Sequence, residues 1–448
     1  MDHDLSSEIV IVGGGFSGLS AALELTARGF SVTVLEAEAE VGGLAGSFEV
    51  GGVKLEKFYH HWFTNDRHVM TLIDELGLAD QVLLRTSKTG MYHANRTFRL
   101  SKPLDLLKFT PLGVIDRLRL GLLVFQARAV RDWMALESRT AEDWLIGLCG
   151  RKVYSVVWEP LLKGKFGPVA GEISAVWFWN KLALRGGSRG KDGQERLAYF
   201  RGGFAALAAA VCRRIEAGGG TVRTGVRATG LVVDRGRVVA VDTSQGRMAA
   251  GAVIFTSALP EIAEVMAPHL PAADIERMRA IRYLANVCLV LDLKRSLSGT
   301  YWLNVNDASF PFVGVIEHTN FEPPESYGGR HIVYLSKYLP ESDALYQMDD
   351  AALCDYALPF LQRMFPDFRR DWINRATVWR ARYSQPVVEK HYSRMIPPTA
   401  TALGNAFICS MAQIYPEDRG TNYAIRNGRA IGRQVAEALG TPSAATAG

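Results

Sequence analysis

Residues 8–36 read Glu-Ile-Val-Ile-Val-Gly-Gly-Gly-Phe-Ser-Gly-Leu-Ser-Ala-Ala-Leu-Glu-Leu-Thr-Ala-Arg-Gly-Phe-Ser-Val-Thr-Val-Leu-Glu. An apolar β-branched run, a glycine turn, a helix-forming stretch and a second apolar run ending in an acid spell strand, turn, helix, strand. Gly13 permits the tight turn, Gly15 lets a pyrophosphate approach the backbone, and Gly18 with Ala22 lets the helix lie close on the strand. The helix N-terminus at Phe16 and Ser17 offers free amides and about half a positive charge to phosphate oxygens. Glu36, followed by Ala37, closes the second strand, where a carboxylate accepts both hydroxyls of an adenosine ribose; an Arg there would point to a 2′-phosphate.

A second glycine cluster, Gly42-Gly43-Leu44-Ala45-Gly46, follows at once and brings more backbone against the same pyrophosphate. With it the chain resembles the FAD superfamily of amine oxidases, protoporphyrinogen oxidases, phytoene-type desaturases and UDP-galactopyranose mutases. In that superfamily the second glycine pair is flanked by arginines, whereas this chain has Glu40 and Leu44. The resemblance implies a Rossmann-type α/β FAD domain assembled from discontinuous segments, 1–65, 199–260 and 401–440. It further implies an α+β substrate domain made of a helical subdomain at 66–198 and an antiparallel sheet at 261–400. Val226 is expected to meet adenine through its backbone. Ser410 ends a late strand expected at 405–410, and Gly420 and Asn422 lead into a closing helix, from about Tyr423, whose N-terminus points at the flavin. No second glycine fingerprint follows another predicted strand, so no nicotinamide domain is expected and the electron acceptor is external and unnamed.

Length and composition agree with a multidomain globular protein: 448 residues, 48% hydrophobic and 22% charged. The balance of 51 basic and 46 acidic residues is too even to argue for nucleic acid. Five scattered cysteines without a CxxC pair suggest neither disulfide framework nor metal site, and a reducing, cytoplasmic setting is expected. No apolar run is long enough to span a bilayer. Residues 102–131 carry six Lys or Arg against two Asp, with Ile115, Leu118, Leu122 and Phe125 at helical spacing. A basic amphipathic helix of this kind docks on an anionic membrane, as related desaturases do, or else buries one face in its own domain. The Ala/Gly/Thr tail at 441–448 is expected to be disordered.

The chemistry is expected in four places. Tyr59-His60-His61-Trp62 resembles the stretch that lays a histidine beside the flavin in galactopyranose mutases. The two histidines point opposite ways on an extended chain, so one of them at most faces the ring. Glu317, His318 and Asn320 end a predicted roof strand and supply acid, base and hydrogen-bonding groups. Lys163 and Lys165 break a helical stretch and suit an anionic substrate, and Arg382 with Tyr383 lies on the last strand before the C-terminal FAD segment. The expected activity is an oxidase or desaturase that moves hydride from a C–H bond of an isoprenoid-like or sugar-containing small molecule to flavin N5. The alternatives are a redox-neutral sugar isomerase of the mutase type and a non-catalytic flavin-binding protein at a membrane surface.

Overall fold

The computed structural model describes residues 8–99, 108–184, 195–307 and 309–440. The 441–448 tail and part of the basic stretch, 102–107, lie outside them. Ile9–Val12 forms the central strand of a five-stranded parallel sheet ordered Thr221–Arg223, Val32–Leu35, Ile9–Val12, Ala252–Phe255, Ala406–Ile408. Parallel strands covered on both faces read as unbroken apolar runs, and Val32–Leu35 and Ala252–Phe255 are buried along their whole length. The register sets Ile9 against both Val32 and Ala252. Three widely separated stretches of chain thus build one dinucleotide layer.

Two helices close one face of that sheet by an unusually near approach. A Cβ added to Gly428 on the helix Thr421–Leu439 would lie 2.2 Å from the Ser17 carbonyl oxygen, and one on Gly432 would lie 2.9 Å from Glu24 Cβ. The small-residue stripe lets the last helix lie directly on the first, Phe16–Thr26. Asn405, fully buried, exchanges hydrogen bonds with the Val238 backbone and donates to the Gly251 carbonyl, tying the last strand to the three-stranded meander 228–249.

A seven-stranded sheet roofs the dinucleotide layer in the order Ile373–Pro386, Tyr283–Leu293, His331–Leu339, Gly314–Glu317, Trp302–Val305, Thr89–His93, Arg96–Arg99. It is antiparallel except where Trp302–Val305 runs parallel to Thr89–His93. Five of its strands fall within the 261–400 segment expected to hold an antiparallel sheet, and that segment also carries the helix Asp350–Met364. The last two strands correct the reading of 66–198 as helical, as does Val82–Thr86, which pairs with Arg196–Phe200. The hairpin turns at Ala94 and Asn95, both at positive φ, a conformation that an Asn-Gly pair would have announced and Ala-Asn does not. The helical part of that segment is real and includes Val114–Ala129, Glu159–Phe166 and Ala175–Leu184.

Candidate active site

The glycine turn folds as its spacing requires. Gly13 adopts φ 113°, and a Cβ on Gly18 would lie 2.0 Å from the Gly13 carbonyl oxygen, so both positions exclude a side chain. The second turn is stitched to the first: Gly42 N donates to the Gly14 carbonyl at 2.9 Å, and a Cβ on Gly43 would lie 3.3 Å from Gly15 Cα. Leu44 and Ala45 continue this turn as a 3₁₀ helix. Gly15 stands at the N-cap of Phe16–Thr26 without a capping side chain, which leaves the amides of the first turn to a ligand. Glu36 is buried at the strand end, its Oε2 accepting from Gly14 N at 2.8 Å and its Oε1 from Glu38 N at 2.9 Å. Those bonds orient the carboxylate and leave lone pairs for ribose hydroxyls. Ala37 lies between Glu36 and the anchored Glu38 amide. Where the superfamily has arginine, Glu40 accepts from Ser47 and pairs with Lys54, bracing the second turn. A bare glycine cradle, an uncapped helix and an oriented buried carboxylate fit FAD. The Val226 N–H donates to the Glu36 carbonyl at 2.8 Å, which leaves its carbonyl as the backbone group for the expected contact with adenine.

Above this cradle a small cleft of about 40 Å³ opens between the dinucleotide layer and the roof. Leu44, Tyr59 and His60 line it from below, and Asn286, Ser336 and Tyr338 from the roof strands, with Arg419 at its edge. His60 and His61 diverge as an extended chain dictates. His60 faces the cleft with Nδ1 2.6 Å from the Phe58 carbonyl; that oxygen only accepts, so Nδ1 carries the proton and Nε2 is the ring's acceptor. Burial outweighs that bond and pulls the imidazole down to about 4, so it is neutral at pH 7. His61 turns into an aromatic nest with Phe63, Trp302 and Phe321, its Nδ1 2.9 Å from Tyr301 Oη. Tyr59 packs edge-on against Trp302 at 4.8 Å, and burial drives its phenol well above 10.

The strand-end cluster takes other work. Glu317 accepts from the backbone of Leu297 and Ser298 and from the hydroxyls of Ser296 and Ser298, so its carboxylate ties down the 296–298 loop. Asn320 donates to the Ser298 and Thr300 carbonyls and serves the same loop. His318 is buried against Tyr327 Oη at 2.6 Å among Tyr199, Phe321 and Tyr334, and burial lowers its pKa to about 3. All three were expected at the flavin; none lines the cleft. Lys163 is exposed and paired with Glu159, and Arg382 is exposed and paired with Glu341 while covering Tyr383, which packs on Tyr283. Asn422 accepts from the His68 and Val69 amides and so caps the helix Arg67–Glu75 rather than meeting a flavin with its side chain. Ser410 is buried with its hydroxyl unpartnered, Gly420 is extended, and Tyr423 lies under Arg426.

Lys165 lies just behind the cleft, 5.3 Å from the ring of Tyr338, which lines it, in company the sequence reading missed. It lies 3.6 Å from Asp418, which also pairs with Lys181 at 2.6 Å and accepts from Gln385 at 3.2 Å. Burial, partly offset by Asp418, pulls Lys165 to about 7. Burial also opposes ionisation of Asp418, but Lys181, Lys165 and Arg419 outweigh it and hold that carboxyl well below the usual range. Lys181 carried a signal, being the single cation in the apolar run Ala-Val-Trp-Phe-Trp-Asn-Lys-Leu-Ala-Leu from Ala175 to Leu184. Nothing in the local sequence of Asn286 or Ser336 separates them from other strand residues.

A parallel sheet with a double-glycine pyrophosphate cradle under a roofed cleft defines an FAD-dependent oxidoreductase. The chain belongs to the flavin containing amine oxidoreductase family, whose sequence profile matches residues 16–435. Mitochondrial protoporphyrinogen oxidase of Nicotiana tabacum is 33% identical over 123 residues, 27% of this chain and 24% of that protein. The match therefore spans about a quarter of that relative's length. Two solved structures share the fold at low identity: an oxidoreductase from Methanosarcina mazei (TM-score 0.74, 16% identity, 95% of this chain and 99% of that one) and reduced UDP-galactopyranose mutase (TM-score 0.74, 14% identity, 98% and 97%). FAD is the cofactor the family and the cradle have in common.

Proposed function

We propose that the protein is an oxidase or desaturase that removes hydride from a C–H bond of a small, largely apolar, isoprenoid-like molecule held in the cleft. The observation that carries this reading is His60, neutral at the cleft wall with Nε2 unprotonated, facing roof residues that are mostly neutral. FAD, when bound, supplies the hydride acceptor. The chain's part is to hold the carbon in register, to exclude water with Tyr59, Phe58 and Leu44, and to take up at His60 Nε2 a proton released as the double bond forms. Oxidised enzyme mixed anaerobically with its substrate should lose absorbance near 450 nm in a single turnover, and His60→Ala should slow that loss roughly 100-fold. Conversion only after dithionite reduction, with no net redox change, would replace this reading by the redox-neutral sugar isomerase to which the Tyr59–Asp66 stretch is similar.

We also propose that the enzyme is cytoplasmic and works at a membrane surface. Support comes from the helix Val114–Ala129, on which Val114, Ile115, Leu118, Leu122 and Phe125 are 56–71% exposed while Leu123 and Ala127 are buried. The apolar stripe thus faces outward, flanked by the exposed Arg119, Arg128 and Arg131, a charge pattern suited to anionic lipid. Among the described residues no helix is long and apolar enough to cross a membrane.

A further inference from the structure

Three cations meet at the Tyr338 side of the cleft, and their pairing is uneven. Lys181 is satisfied by Asp418 at 2.6 Å, and the other Asp418 oxygen accepts from Gln385. Lys165 has only a distant share of that carboxylate, at 3.6 Å, and otherwise lies over aromatic faces, 4.8 Å from Trp177 and 5.3 Å from Tyr338. Arg419 bonds a phenol, Tyr338 Oη at 2.8 Å, and its buried Nε has no hydrogen-bond partner. The nearby Asp66 is committed to the Phe63 amide at 2.9 Å. The buried Trp177 Nε1 is a further donor without a partner.

We propose that Lys165 and Arg419, both packed on Tyr338, form a subsite for a carboxylate or similar oxyanion, so that the substrate of this flavoenzyme is an acid and not an amine. The proposal rests on the oxidoreductase reading above and adds the substrate's charge. Physically, a buried guanidinium that shares the Asp418 carboxylate with two lysines and leaves its Nε unpartnered is costly unless an acceptor completes it. An ammonium group arriving here would meet Lys165, Lys181 and Arg419, while the nearest carboxylates are already engaged. An acid instead gives Arg419 a forked partner and Lys165 a counter-charge, and its apolar skeleton extends toward His60.

The test uses the FAD-loaded protein and two probes that differ only in charge, 3-phenylpropionate and 3-phenylpropylamine. Binding is read from the flavin difference spectrum and from tryptophan fluorescence, to which Trp177 contributes. The expected result is an acid bound at least about tenfold more tightly than the amine. Lys165→Met and Arg419→Met should each remove that preference, whereas Lys165→Arg and the exposed control Lys163→Met should keep it. Equal or tighter binding of the amine overturns the subsite, as does failure of both probes to bind. So does an Arg419→Met variant that shifts the flavin midpoint potential with acid affinity unchanged, since that cation would then serve the cofactor ring. A protein that holds no FAD at all would instead refute the flavoenzyme reading, so the two failures are distinct.

Discussion

At the scale of single residues, Glu36 shows how much a spacing argument can carry. Its place at the end of the second strand was legible because the strand, turn and helix between it and Gly13 are all local. Glu36→Ala should weaken FAD binding by about 1.5 to 3 kcal/mol, the loss of hydrogen bonds to a charged group, measured by equilibrium dialysis of the apoprotein. Glu36→Gln should lose less, and identical affinities in all three proteins would show that the carboxylate does not touch the ribose. His60 makes a pH prediction. The unfolded chain gains the imidazole proton near pH 6.5, while the folded protein resists it until about 4. Through that window the unfolded state binds more protons, so stability falls as pH falls. Between pH 7 and 4.5 the wild type should lose about 1 to 2 kcal/mol more than His60→Asn, after allowing for solvent in the cleft. Parallel denaturation curves for the two proteins would contradict the depressed imidazole. Glu317 and His318 were misjudged for a simple reason. A strand end supplies chemistry only if it faces the cavity, and which way Gly314–Glu317 ends depends on pairing with His331–Leu339, which one segment cannot disclose.

Among the elements, the contact between the first and last helices decides whether the cradle holds its shape. Gly428→Ala would push a carbon against the Ser17 carbonyl, in the turn that faces the phosphates. We expect about 1 to 3 kcal/mol of lost stability together with weaker FAD retention. Gly171→Ala, where an added Cβ meets nothing within 4 Å, should be neutral in both assays. Equal behaviour of the two variants would mean that the helices part without consequence. The helix Val114–Ala129 invites the opposite experiment. Its apolar stripe was legible as helical spacing, but whether that stripe turned inward or outward was not, since both outcomes bury or expose the same residues. With Leu118 at 62% and Leu122 at 56% exposure, Leu118→Glu with Leu122→Glu should leave the melting curve and the flavin spectrum unchanged. Sedimentation with anionic vesicles should be abolished, and the wild type's binding should weaken with salt. Unchanged sedimentation would rule out docking through this face.

Taken whole, the molecule divides into a half that local sequence announces and a half that it does not. The dinucleotide layer follows from glycine turns and apolar runs, each contained within some thirty residues. The roof borrows its hairpin Thr89–Arg99 from the far side of the helical segment, and the Lys165, Lys181, Asp418 and Arg419 cluster gathers from two distant stretches, 165–181 and 418–419. No window short enough to read by pattern contains such a meeting. The sheet order has a further consequence, for synthesis. Ile9–Val12 is among the first strands made, yet the layer it centres is completed only by Ala406–Ile408 and sealed by Thr421–Leu439. At about 5 to 20 residues per second, a ribosome takes roughly 20 to 80 s to travel from one to the other. Throughout that interval Ala252–Phe255, once made, waits with an unpaired apolar edge, a surface for chaperones or for aggregation. Chains released near residue 300 should therefore emerge colourless and sticky even in excess FAD, and the yield of coloured protein should depend on what shields that edge until translation ends.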